Sequence, residues 1–246
     1  MKPFGCLLVH GLTGTPANLS NLQSVLERGG FVVEAPLVAG HGKTPKILGE
    51  TTWTDWYGSV RAAYEILNKK CDKIFYCGLS MGSLLGVKLA VELGPEKIPA
   101  LIVMGFPLLL DFPIRRFSIP LFRYTPLRWI VSSVKKNFAK SVKDPKGLEI
   151  YKKQSLHRIP VESVIQLVTL AEHIEDILPR LTQPTLAIHA AEDRIADIEG
   201  VRILKAKSPA SVETMFLRNS YHVVTLDYER EMVAGKVMEY FRRQSH

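Results

Sequence analysis

The chain has 246 residues, of which 46% are hydrophobic and 23% charged, and its formal net charge is +8. This is the composition of a folded protein with a large core, and it excludes a disordered or fibrous chain. No apolar run reaches the ~18–20 residues that span a bilayer, and Met1 to His10 lack the long apolar stretch and small-residue cleavage site of an export signal, so the cytoplasm is the expected compartment.

In chain order, Phe4–Val9 and Phe31–Ala35 read as buried strands, with a helix over Ala17–Arg28 between them that starts near Pro16. Apolar residues at helical spacing (Trp53, Trp56, Tyr57, Val60, Tyr64, Leu67) predict a helix over Trp53–Asn68. Strands follow at Lys73–Cys77 and Ala100–Gly105, separated by a helix over Leu84–Leu93. A helix over Val161–Leu178, strands at Thr185–His189 and Val212–Leu217, and a last helix over Glu229–Arg242 complete the pattern. Strands alternating with helices imply an α/β class, with a mainly parallel sheet covered on both faces. The alternation breaks at about 106–160, a proline-punctuated stretch without a strand signal. Because the alternation resumes afterwards, the stretch is expected to be an insertion between two sheet strands within one domain covering 1–246, not a separate domain.

That stretch also holds the charge. From Phe112 to Arg158, twelve Lys/Arg stand against two acids, Asp144 and Glu149, so one segment carries the whole positive excess. No nucleic-acid recognition motif accompanies it, and no nucleic-acid partner is expected. The three cysteines, Cys6, Cys71 and Cys77, are odd in number and lack metal-ligand spacing. Cys6 and Cys77 fall in apolar runs and are expected as small core residues. Neither a metal nor an organic cofactor is expected.

The segment with chemistry is GLSMG, Gly78 to Gly82, at a strand-to-helix junction. Two glycines allow a turn sharp enough to push Ser80 out of the sheet, which is the nucleophile-elbow pattern. The competing reading is a helix N-cap serine. A serine hydroxyl needs a base, and the base needs an orienting acid. In a parallel sheet both belong on loops past the carboxyl ends of strands. Asp193, four residues past His189 in AAEDRIAD, fits the acid, with Glu192 and Asp197 as rivals and an N-cap role as its other reading. Among seven histidines, only His222, in RNSYHVVTLD, lies beyond the acid on a strand-exit loop. Backbone N–H groups of Met81, after the serine, and Leu12, in the HGLTGT loop after the first strand, are expected to form an oxyanion hole. Each such donor is worth roughly 3–4 kcal/mol. The HGLTGT loop lacks the lysine of a phosphate-binding P-loop.

HGLTGT, GHG at Gly40–Gly42, TTWTDW at Thr51–Trp56, GLSMG and RNSYHVVTLDY together resemble small bacterial serine hydrolases of the α/β-hydrolase fold, in particular the monoacylglycerol lipase and carboxylesterase group. The resemblance covers nearly the whole chain outside Phe106–Lys146. It implies Ser80 as nucleophile, Asp193 as acid, His222 as base, and Leu12 and Met81 as oxyanion-hole donors. It also implies a small cap after the strand that follows the nucleophile helix. Two positions depart from the pattern: Ser83 stands where relatives often carry a second glycine, and Lys152 and Lys153 lie where relatives can carry acids.

The implied activity is hydrolysis of carboxylic esters, monoacylglycerols or other medium-chain acyl esters, through an acyl-enzyme. The same three residues also serve thioesterases and carbon–carbon bond hydrolases, and a non-catalytic binding protein on this fold is a further reading. The cap crowds Leu108 to Leu110, Phe112, Ile114, Phe117, Ile119, Leu121, Phe122, Trp129 and Ile130, which suits an acyl chain at ~0.8 kcal/mol per buried methylene. Its interleaved basic residues suit peripheral contact with an anionic membrane or micelle surface; a plain solvated face is the other reading.

Overall fold

The computed structural model describes residues 2–111 and 118–245, with the side chains of Arg128 and Trp129 left out. The expected contributions of Phe112, Ile114, Phe117 and Trp129 therefore lie outside the described residues. Six strands form one wholly parallel sheet: β1 (Gly5–Val9), β2 (Val32–Glu34), β3 (Ile74–Leu79), β4 (Leu101–Met104), β7 (Thr185–Ala190) and β8 (Val212–Leu217), in the order β2-β1-β3-β4-β7-β8. Side chains alternate across a strand, and here the alternation feeds two cores. Leu7, Val9 and Tyr76 pack on one face with helices α3 (Trp53–Asn68), α4 (Met81–Leu93), α8 (Val161–Ile177) and α9 (Glu199–Lys207). Cys6, Leu8, Phe75 and Cys77 pack on the other with α1 (Ser20–Arg28) and α10 (Arg230–Gln244). All three cysteines are free thiols inside these cores.

Differences from the sequence reading are local. Pro16–Leu19 is a 3₁₀ turn and α1 proper starts at Ser20. The Asn18 side chain, by accepting from Thr15 N–H at 3.0 Å, closes that turn first. β3 runs two residues further than expected, straight up to Ser80, and α4 begins at once with Met81. Helices α2 (Pro45–Gly49) and α9 were not separately anticipated.

The stretch between β4 and α8 holds short helices α5 (Ile119–Tyr124), α6 (Leu127–Ile130) and α7 (Pro145–Gln154). It also holds an antiparallel ribbon of β5 (Ser133–Lys135) with β6 (Arg158–Pro160), which corrects the expectation of no strand there. Three residues per strand are too few to show a period of two, and the pair is reinforced from the side by Arg158, which donates to the Ser133 hydroxyl and carbonyl at 2.9 and 2.7 Å. No helix among the described residues is long and apolar enough to cross a membrane.

One carboxylate fastens this stretch to the rest. Asp227 is fully buried and accepts from four backbone N–H groups: Lys143 and Asp144 at the foot of α7, and Tyr221 and Tyr228 in the loop after β8, all at 2.8–2.9 Å. An amide in its place offers one oxygen and turns an NH₂ toward two donors. Asp227→Asn should therefore cost about 2–5 kcal/mol and lower the melting temperature by roughly 5 °C or more; an unchanged melting temperature would contradict this account.

Two histidines sit side by side beneath the loop after β1. His10 Nδ1 donates to the Gly11 carbonyl and Nε2 accepts from Val38 N–H, while His41 lies 5.0 Å away ring to ring. Burial, then the neighbouring His41, pushes His10 down to about 3; burial pushes His41 down to about 4, against its backbone hydrogen bonds, with the Lys136 charge adding to the fall. The unfolded chain protonates both near pH 6.5, so it binds protons that the folded chain refuses. Stability should thus be unaffected by this pair above about pH 6.5 and should fall as pH drops below it, by about 1.4 kcal/mol per pH unit for each ring until the folded values are reached. Urea denaturation between pH 7 and 4.5 should show this slope, and His41→Gln should reduce it by about half, leaving the His10 share.

Candidate active site

The carboxyl ends of β1 and β3 meet where the strand order reverses, the crevice in which open α/β sheets place their sites. Ser80 stands at the tip of β3 with φ 53° and ψ −122°, a region that costs a non-glycine residue about 1–3 kcal/mol. Its neighbours allow this. A Cβ on Gly78 would run into the Gly82 carbonyl group, and one on Gly82 would run into the Val9 carbonyl oxygen, so the turn closes only with hydrogen at both positions. Ser80 N–H donates to the Met104 carbonyl at 2.8 Å, and Ser83 N–H to the Ser80 carbonyl at 2.7 Å. Ser83, the departure noted above, is buried directly behind the turn. Its hydroxyl lies 2.8 Å from the Gly78 carbonyl and 3.1 Å from both the N–H and the carbonyl of Met104, tying β3, β4 and the elbow together.

The structure brings three of the predicted residues into one hydrogen-bonded chain. His222 Nε2 lies 2.8 Å from Ser80 Oγ, and His222 Nδ1 lies 2.8 Å from Asp193 Oδ2. A carboxylate can only accept, so Nδ1 carries the proton and Nε2 is the free base toward the serine hydroxyl. The other Asp193 oxygen accepts from Ile195 and Ala196 N–H at 2.8 and 3.0 Å, which fixes the carboxylate plane with its own loop. Burial raises the Asp193 carboxyl, but the His222 charge and hydrogen bond, His189 and the Ala196 N–H outweigh it and hold the group below the usual carboxylate range. The rivals face elsewhere. Asp197 accepts from Glu199 N–H at 3.0 Å, and Glu192 pairs with Lys143 at the surface.

Both loops are pinned. The Asp193 loop is laced to the chain leaving β4 through Asp111 N–H to the Ile195 carbonyl and Asp197 N–H to the Leu109 carbonyl, each 2.9 Å. The His222 loop hangs from Asp227 on one side and from Glu229 on the other, which accepts from Arg218 N–H, Asn219 N–H and the Ser220 hydroxyl. Leu12 lies in the wall of the cleft above Ser80, and Met81 opens α4, so its N–H belongs to the first turn that a helix cannot satisfy internally. Thr13 beside Leu12 has φ 66°. No three His, Cys, Asp or Glu side chains are grouped to hold a metal among the described residues.

Three further residues escaped the sequence reading. His189, at the end of β7, lies 3.7 Å from Asp193 Oδ2 and 3.3 Å from the Ala196 carbonyl, packed behind the acid. Lys136 and Tyr151 enter the cleft from the stretch after β4, and Lys136 Nζ donates to Thr13 Oγ1 at 2.6 Å and to Tyr151 OH at 2.7 Å. Partners 123 residues apart leave no local signal. The cleft runs on, past Leu12, Leu110 and Ile159, into a cavity of about 240 Å³ walled almost entirely by apolar side chains, including Phe122, Val134 and Ile165.

A family model described as "Serine aminopeptidase, S33" matches residues 5–229. The thermostable monoacylglycerol lipase of Bacillus sp. (strain H-257) is 31% identical over 251 residues, spanning 99% of this chain and 92% of that one. The carboxylesterase of Bacillus subtilis (strain 168) is 26% identical over 240 residues, spanning 96% and 92%. Among solved structures, one of two metagenome-derived lipolytic enzymes superposes with a TM-score of 0.87 at 27% identity, covering 98% of this chain and 94% of that chain. The likeness expected from GLSMG and RNSYHVVTLDY therefore extends over the full fold. Matched along most of its length by that model and by relatives of nearly its own size, the chain belongs to the serine aminopeptidase S33 family of hydrolases and has the α/β-hydrolase fold.

Proposed function

We propose that this chain hydrolyses carboxylic esters, monoacylglycerols or related medium-chain acyl esters, with Ser80 as nucleophile, His222 as general base and acid, and Asp193 as the group that orients the imidazole. The observation that carries the reading is the unbroken chain Asp193–His222–Ser80, 2.8 Å at each link, opening onto an apolar cavity. Ser80 Oγ attacks the ester carbonyl as its proton passes to His222 Nε2, and the imidazolium that forms is stabilised by the ionised Asp193. The carbonyl oxygen becomes an anion facing the Leu12 and Met81 N–H groups. Collapse of this intermediate breaks the bond to the alcohol, which takes the proton from Nε2 and leaves an acyl-Ser80 ester. Water, deprotonated by the same nitrogen, then releases the carboxylic acid and restores the serine. The cavity supplies apolar burial for the acyl chain, and residues of about 106–160 serve as its cap. The ester bond is favoured over the peptide bond because full-length relatives are named as a monoacylglycerol lipase and a carboxylesterase.

A fluorophosphonate probe should label the wild type at one site and leave Ser80→Ala unlabelled. Ser80→Ala should lower kcat by about 10⁴-fold or more on monooctanoylglycerol. Asp193→Asn should lose about 10⁴-fold, because the amide holds the imidazole in the wrong tautomer. A folded wild type without labelling, or faster turnover of acyl-CoA than of any oxygen ester, would overturn the assignment.

The cap also bears on where the substrate is met. Tyr124 and Ile130 are 76% and 79% exposed beside Leu121, on a segment rich in Lys and Arg. This pairing of apolar tips with basic charge favours contact with anionic lipid surfaces, at about 1 kcal/mol per cation near the leaflet. The protein should sediment with vesicles containing phosphatidylglycerol and not with pure phosphatidylcholine, and Tyr124→Ser with Ile130→Ser should weaken the binding; equal binding to both vesicle types would refute it.

A further inference from the structure

Lys136 is 7% exposed, yet no carboxylate lies within ion-pair distance of it among the described residues. Lysine is almost never this buried unless paired, and burying a charge is costly without a partner. Its two hydrogen-bond partners, the Thr13 and Tyr151 hydroxyls, are neutral. Two aromatic rings also flank it: Nζ stands 4.2 Å from the Tyr151 ring centroid and 5.0 Å from that of Phe138. Such faces stabilise a cation by about 2 kcal/mol when water is excluded, but they do not neutralise it. An ammonium has three donors, and two are used.

This cation lines the same cleft as Ser80 and His222. Among the described residues no Asp or Glu lines that cleft, and Asp193 lies behind the imidazole of His222. Apolar side chains dominate the whole cleft, but its polar side chains are not evenly placed. Its far end is the apolar cavity of about 240 Å³, while Thr13, Asn18, Lys136 and Tyr151 gather at the near end. An acyl chain in the cavity leaves the alcohol side of the ester at the polar end, facing Lys136.

We propose that Lys136 recognises a negative charge on the alcohol portion of the substrate, so that the preferred ester carries a phosphate or carboxylate on the group that leaves. The proposal rests on the ester-hydrolase reading and narrows it. The incoming anion accepts from the third Nζ donor and completes the pairing that the fold withholds. The loss of that bond in a variant should be worth roughly 10–100-fold. Lys136 also braces Thr13, which sits in the left-handed backbone region next to Leu12, so a purely structural role is the alternative that the test must separate.

The test compares kcat and KM for three esters with one octanoyl chain: monooctanoylglycerol, octanoylglycerol 3-phosphate, and the octanoyl ester of glycolate. In the wild type, at least one of the two anionic esters should exceed the neutral one in kcat/KM; which one does so distinguishes phosphate from carboxylate. Lys136→Met should lower the anionic-to-neutral ratio roughly 10–100-fold, mainly through KM, and Lys136→Arg should retain most of it. Glycerol 3-phosphate should slow fluorophosphonate labelling of the wild type more than glycerol does, and this difference should vanish in Lys136→Met. A wild type without preference for either anion, or a Lys136→Met loss equal for all three esters, would overturn the proposal and leave a brace for the Thr13 loop. If Lys136→Met does not fold, Lys136→Gln takes its place in the ratio. Failure of the neutral ester and of labelling together would instead sink the hydrolase reading itself.

Discussion

The site depends on one strained residue. Ser80 holds a backbone geometry that its side chain disfavours, and it stays there because the chain on either side has no room to relax. The glycine hydrogens at 78 and 82 allow β3, α4 and the end of β1 to close to backbone contact. The Ser83 hydroxyl then fastens that contact from behind through Gly78 and Met104. The strain of about 1–3 kcal/mol sits at the end of β3, in the middle of a six-stranded sheet whose close packing holds it. The gain is a hydroxyl raised clear of the sheet and aligned with Nε2 of His222 at 2.8 Å.

The elements around this point divide between rigid and supported. Ser80 and Met81 belong to a strand and a helix. Asp193 and His222 belong to loops, and each loop has its own frame: Asp193 accepts from its own backbone, and the His222 loop is suspended between the carboxylates of Asp227 and Glu229. The acids that flank the imidazole therefore have separate tasks. One faces the ring, and the other two spend their oxygens on peptide N–H groups and, for Glu229, on the Ser220 hydroxyl as well. Lys136 reaches in from a third direction, and its charge is felt as far as His41 beneath the loop after β1.

Much of this was readable from the chain because it is encoded locally. Short buried strands, the glycine pair about Ser80, and the placement of Asp193 and His222 just past β7 and β8 each need only a few neighbouring residues to recognise. The departure at Ser83 was visible but its meaning was not, since Met104, which it binds, is 21 positions away. The β5–β6 ribbon, the Lys136–Thr13 contact and the hold of Asp227 on Lys143 and Asp144 are set by partners 23 to 123 residues apart, and no periodicity or motif marks them. Lys136 in particular reads in sequence as one more cation in a basic segment. Only its burial against two hydroxyls and two rings separates it from Lys135, which is exposed.

Asp227 has a mechanical corollary. The same carboxylate grips the foot of α7 and the loop that carries His222, and each of its oxygens serves one group on either side of that seam. Any displacement of residues 143 and 144 would drag the imidazole out of register with the serine. Residues 143 and 144 therefore form a fixed sill, and the side of the cleft that carries His222 keeps its register with Ser80.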